Sequence, residues 1–133
     1  MSLPQAAVAA PTDLRGKRIL LAEDEFVIAF GLQTELEELG AFVAVVDSVA
    51  DGLPVAANGW DACILDVRLA DGDVYPLADQ LQRLGVPIVF HSAHADVTSL
   101  TGRYPGAAAL RKPCWGSVLA GSIARCLHGP VPA

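Results

Sequence analysis

Four apolar stretches of this chain stop at residues that can do chemistry. RILLA runs into Glu23, Asp24 and Glu25, DACILDV carries Asp66 near its end, VPIVFHSA reaches Ser92, and AALRKP reaches Lys112. Carboxylates gathered in one place raise one another's pKa unless a cation joins them. Mg2+ suits such a set, because it takes oxygen ligands and commonly binds one or two carboxylates with phosphate oxygens and water. A carboxylate is also a nucleophile toward phosphorus. With Asp66 as that nucleophile, Lys112 and Ser92 would hold two phosphoryl oxygens while the metal offsets charge on the third. Each of these residue types alone at a strand end is an ordinary solvated group. It is the four stretches together that point to phosphoryl chemistry.

The pattern of the chain explains how the four could meet. Residues 18–25 read as a strand, and Ile28, Leu32, Leu36 and Leu39 then recur at helical spacing up to a stop at Gly40. Residues 41–48 are β-branched and strand-like, followed by a weaker helix over 49–57. The strand 61–67 leads through a loop at 68–73 into a helix with Leu77, Leu81 and Leu84 on one face, closed by Gly85. A fourth strand at 86–93, a short helix at 96–103, a fifth strand at 108–113 and a final amphipathic helix complete the series. That last helix places Trp115, Val118, Leu119, Ile123, Cys126 and Leu127 on one face. Strands this apolar, alternating with helices, predict an α/β fold with a parallel sheet covered on both sides. Ligands in such sheets bind beyond the carboxyl ends of the strands, which is where the charged residues fall.

Composition narrows the function classes. At 133 residues the chain is one domain long, and 53% hydrophobic with 18% charged residues predicts a folded core. A net charge of −6 disfavours nucleic acid as a general partner. All 15 acids lie within residues 1–96, and residues 97–133 carry only Arg103, Arg111, Lys112 and Arg125. Such asymmetry predicts two functionally different surfaces. No run approaches the ~18 apolar residues of a membrane span. Three scattered cysteines (Cys63, Cys114 and Cys126) suggest no disulfide framework and fit a cytoplasmic setting. Residues 1–16 read as a flexible Ala/Pro leader, 17–128 as the domain, and 129–133 as a short tail.

Over these elements the chain resembles a receiver domain of the two-component response regulators. The matching residues are Glu23-Asp24, Asp66, Ser92 followed by the small Ala93, and Lys112-Pro113. The resemblance implies a five-stranded, doubly wound parallel sheet in the flavodoxin-like order 2-1-3-4-5. It implies a phosphorelay role in which Asp66 accepts a phosphoryl group from a histidine kinase or a histidine phosphotransfer protein. It further implies Mg2+ held by Asp24, Asp66 and the Arg68 backbone carbonyl, with Glu23 acting through water. Ser92 and Lys112 would contact the phosphoryl group, and the Lys112–Pro113 bond would be cis. The stretch VPIVFHSAHA also resembles a subgroup common among alphaproteobacteria with a Phe-Ala-Thr-Gly-aromatic-Gly strand-four motif. Phe90 matches it, while His91, Ser92, Ala93, His94 and Ala95 replace the rest.

Other residues qualify this picture. Ala109 stands three residues before Lys112, where many receivers carry an aromatic that turns inward on phosphorylation, so signalling must use another element. Arg68 and His94 are candidates for setting the lifetime of the phosphorylated state. His91 reads as a strand residue packed or hydrogen-bonded under a helix, and the intervals among His91, His94 and Cys114 match no zinc spacing. Phe30 is expected in the core, while Phe26 or Val27, if outward, would form a docking patch for the donor. The last helix–strand–helix face, with Arg103, Arg111 and Arg125, is a candidate homodimer surface. Other readings are a C-terminal receiver of a hybrid kinase, a receiver that binds partners without phosphorylation, or a small-molecule aspartyl-phosphate phosphatase. The phosphatase reading wants an Asp two residues after the nucleophile, where Arg68 stands. No GxGxxG follows the first strand, which disfavours a dinucleotide.

Overall fold

The structure, a computed structural model, describes residues 13–93, 97–112, 114 and 116–128. Its main sheet is built from β1 (Arg18–Ala22), β2 (Phe42–Val46), β3 (Ala62–Leu65), β6 (Ile88–Ser92) and β7 (Ala108–Arg111). All neighbouring pairs are parallel, in the order β2-β1-β3-β6-β7. This is the expected 2-1-3-4-5 order, with a small hairpin intervening in the numbering. The hairpin, β4 (Arg68–Leu69) paired antiparallel with β5 (Gly72–Asp73), replaces the loop expected at 68–73.

Burial explains the apolar runs. Every residue of β3 and β6 is buried, as are Ile19–Ala22 of β1, because helices cover both faces of the central strands. One core layer gathers Leu20, Leu65, Phe90 and Tyr104 with α3 (Tyr75–Arg83). The other packs Ile19, Leu21, Ile64 and Val89 against α1 (Phe26–Glu38) and α5 (Gly116–His128).

The helix stops fall where glycine was expected to impose them. After α1, Gly40 takes φ +99°, its N–H donates to the Glu37 carbonyl, and the Ala41 N–H donates to Leu36. Gly85 takes φ +76° after α3, with the same pair of bonds to Gln82 and Leu81. Both are left-handed caps that use up orphan carbonyls at a helix end. The helix expected over 49–57 is shorter: α2 (Val49–Gly52) gives way to a 3-10 turn at Leu53–Val55. Pro54 sits in that turn, and its ring and missing N–H do not suit an α-helix interior.

The boundary expected at residue 17 moves toward the N-terminus. Leu14 is 0% exposed, packs in the layer under α1, and donates its N–H to the Leu39 carbonyl. Arg15 lies so close to Gly40 that a Cβ there would meet the Arg15 Cα at 2.8 Å. In the last helix Leu119 and Ile123 are buried as expected, but Val118 faces outward. Its position one residue from Leu119 turns it off the packed face. Residues 1–12 and 129–133, His94 and Trp115 lie outside the described residues, as does Pro113 with its expected cis bond.

Candidate functional site

The strand ladder delivers the acids to one edge of the sheet. Beyond β1, the Glu23 N–H donates to the Val46 carbonyl, and beyond β3 the Asp66 N–H donates to the Ala22 carbonyl. The two side chains are thereby carried to adjacent strand ends, and both are buried. Asp24 and Glu25 follow on the exposed turn that leads into α1. On the far side of the sheet, Ser92 closes β6 in register with Arg111, and the Lys112 N–H donates to the Ser92 carbonyl. Ser92 is itself buried, and Ala93 lies exposed in the turn behind it.

Lys112 reaches back across this edge. Its Nζ lies 2.8 Å from Asp66 Oδ2, 2.8 Å from Glu23 Oε1 and 3.2 Å from Glu25 Oε1. Glu25, which the resemblance gave no role, is thus part of the site. No residue spacing announces that contact; it depends on how the turn after β1 closes. Glu25 also donates its backbone N–H to Glu23 Oε2 at 3.0 Å. The other Asp66 oxygen, Oδ1, accepts a long bond of 3.3 Å from the Arg68 N–H.

The charges tune one another. Burial pushes the Glu23 carboxyl up to about 7, against the pull of its bonds to Lys112 and Glu25, and the nearby Asp66 charge adds to the rise. For Lys112 burial works the other way, but hydrogen bonds and charge from Asp66 and Glu23 together outweigh it and hold the ammonium above the ordinary lysine value. One ligand oxygen from each of Glu23, Asp24, Glu25 and Asp66 lies within 4.8 Å of the others. An all-oxygen, anionic donor set of this kind fits a hard cation such as Mg2+.

Arg68 opens the hairpin with an exposed guanidinium whose Nε pairs with Asp73 at 3.3 Å. Asp71 caps α2: its two oxygens accept from the Val49 and Ala50 N–H groups at 2.8 and 3.0 Å. Those bonds hold its carboxyl below the ordinary aspartate value. Phe30 is not in the core. It is 60% exposed and stacks on Phe26, itself 80% exposed, with ring centroids 6.3 Å apart and Val27 exposed beside them. Next to this patch an open cavity of about 310 Å³ is lined by Phe26, Ala29 and Val45 together with Asp24, Asp47 and Asp51.

Other chains share this fold. A response regulator receiver protein from Sinorhizobium medicae WSM419 superposes with a TM-score of 0.78 at 25% identity, over 88% of this chain and 98% of that one. The fold is that of a response-regulator receiver domain. The receiver domain of the sensor histidine kinase PA1611 from Pseudomonas aeruginosa PAO1, solved with a magnesium ion in its active-site cleft, matches at TM-score 0.75 and 25% identity, over 86% and 99% of the two chains. Among curated sequences, the uncharacterized transcriptional regulatory protein YbdJ of Bacillus subtilis (strain 168) is 35% identical over 88 residues. That match takes in 65% of this chain but spans only 39% of YbdJ. No model of a known protein family matches the chain. Among the described residues, no helix is long and apolar enough to cross a membrane.

Proposed function

We propose that the chain is a phosphorylatable receiver that takes a phosphoryl group on Asp66 and signals by protein–protein contact. The observation that carries this is the convergence of the Lys112 ammonium on Asp66 and Glu23 at the carboxyl edge of the sheet. A buried lysine between two carboxylates is the charge pattern that a third, phosphoryl, anion would enter. An Asp66 carboxylate oxygen attacks phosphorus; the O–P bond forms as the P–N bond to the donor imidazole breaks, and the electron pair stays on that nitrogen. Lys112 then neutralises a phosphoryl oxygen and Ser92 donates its hydroxyl to another. Asp24, Asp66 and the Arg68 carbonyl, with Glu23 and Glu25 around them, would hold Mg2+. When bound, the ion supplies positive charge to the transferring group.

The donor is a histidine kinase or a histidine phosphotransfer protein, and the outward Phe26, Val27 and Phe30 form its landing patch beside the acids. A cytoplasmic setting follows from such a partner. A place near the alphaproteobacterial strand-four subgroup rests on Phe90, since residues 91–95 depart from its motif. For the homodimer reading, the exposed Val118 and Arg111 lie on the last strand and helix. The chain itself is not an enzyme acting on a separate substrate.

Incubation with Mg2+ and acetyl phosphate followed by intact-mass measurement tests this reading. Addition of one phosphoryl group, absent in Asp66→Asn, is expected. Absence of an adduct with acetyl phosphate, phosphoramidate and a phosphohistidine donor alike overturns it.

A further inference from the structure

β6 is apolar and buried at Ile88, Val89 and Phe90, and then places a histidine where another aliphatic side chain would pack. His91 is 1% exposed. Its Nε2 accepts the backbone N–H of Cys114 at 3.1 Å. An Nε2 that accepts an N–H carries no proton, so the ring is neutral, and burial first and the Lys112 charge second hold it below the ordinary histidine value. A neutral imidazole that accepts at Nε2 carries its proton on Nδ1. Among the described residues, that Nδ1 is buried without a hydrogen-bond partner. The strand thus retains a polar ring at the expense of one orphaned buried donor, which an aliphatic residue would avoid.

The compensation is the bond to Cys114, and its location is informative. Cys114 lies two residues beyond Lys112, where the ladder between β6 and β7 has ended with the Lys112 N–H to Ser92 carbonyl bond. The His91 ring therefore extends the attachment of this segment past the last backbone pair. Two residues later the Gly116 N–H donates to Glu35 of α1 at 2.9 Å, which anchors the start of α5. Beyond Lys112, then, Cys114 is held from β6 and Gly116 from α1. We infer that His91 is a positioning residue for phosphoryl transfer: through the Cys114 amide it fixes the chain behind Lys112, and so the place of the ammonium against Asp66.

This inference rests on the receiver reading, and the experiment separates the two. Full-length wild type, His91→Gln and His91→Met are compared for the rate of phosphoryl uptake from acetyl phosphate, for Mg2+ affinity and for thermal melting. Glutamine restores an acceptor at similar reach, whereas methionine fills the space without one. The expected result is an uptake rate about tenfold lower in His91→Met, within about twofold of wild type in His91→Gln, with Mg2+ affinity not weakened in either. Equal rates in all three proteins overturn the inference, as does an equal loss in both variants, which would mark a packing role. If His91→Met does not fold, the ring nitrogen shifts of the wild type decide: a proton on Nδ1 with coupling of Nε2 to the Cys114 amide supports the inference, and a proton on Nε2 overturns it. A wild type that takes up no phosphoryl group overturns the receiver reading itself, whatever the ring shows.

Discussion

The Lys112 Nζ and Asp66 Oδ2 lie 2.8 Å apart although 46 residues separate them in the chain. Three carboxylates share that one ammonium, and both it and Asp66 are buried. A cation in this position serves two ends. It keeps the metal-free site from repelling itself and, on the proposed function, it would meet the phosphoryl oxygens.

Removing that cation should therefore separate stability from metal binding. Lys112→Met leaves Glu23 and Asp66 uncompensated, and the metal-free protein is expected to lose about 3 kcal/mol of stability. Mg2+ then finds a more negative site, binds more tightly, and recovers more stability than it adds to the wild type. Phosphoryl uptake falls by about 10²-fold. Denaturant unfolding with and without Mg2+, with calorimetric titration, checks this; weaker Mg2+ binding in the variant contradicts it.

Glu23 predicts a pH dependence of the opposite sign from the usual acid unfolding. Its carboxyl stands at 4.5 when unperturbed and about 7 in the fold, so the folded state holds the proton more firmly. The stabilisation is complete below the unfolded value and is lost as pH rises through about 7. In chelator, the urea midpoint should fall between pH 5 and 8, and Glu23→Gln should flatten that slope. A midpoint that rises over this window in the wild type, or an unchanged slope in the variant, argues against it.

Leu14 tests where the domain begins. Its side chain is fully buried in the layer beneath α1. Leu14→Ala should cost about 3 kcal/mol, as for other buried leucines, whereas a leucine in a flexible leader would cost nothing measurable. Equilibrium unfolding of the two proteins distinguishes these outcomes.

The stacked Phe26 and Phe30 predict a defect specific to the protein donor. Phe26→Ala with Phe30→Ala should leave stability within about 0.5 kcal/mol, because both rings already face water. Uptake from acetyl phosphate should be unchanged, while transfer from a phosphorylated histidine partner slows by about tenfold or more. Equal rates from the protein donor would remove the patch from the interface.

The parts of this molecule that could be read from the sequence are those with a strong periodic signal. Buried parallel strands are apolar throughout and end abruptly, so Asp66, Ser92 and Lys112 announce themselves as strand-end residues. Gly40 and Gly85 mark helix stops because their backbone conformation is costly for other residues. Phe30 departs from the expected core position for a physical reason: α1 opens with Phe26, Val27, Ile28, Ala29 and Phe30, and a segment apolar on every side does not declare which face is covered. The hairpin at β4 and β5 is two residues on each side, too short for a period-two pattern. Glu25 and Asp71 owe their roles to turn geometry and capping, which bring together residues 87 and 22 positions apart. The fold, and most of the site, follow from burial; the remainder depends on loops whose closure no local pattern encodes.

The cap that Asp71 places on α2 has a consequence for how the state of Asp66 could be followed. A helix of four residues does not stand on its own backbone bonds. This one begins where Ser48 receives the Asp51 N–H and Asp71, five residues beyond Asp66, receives those of Val49 and Ala50. The amide protons of Val49 and Ala50 are therefore built-in gauges of the loop behind the acceptor. Their rates of exchange with deuterated solvent report, without any label, whether that loop keeps its grip on the helix when a phosphoryl group arrives.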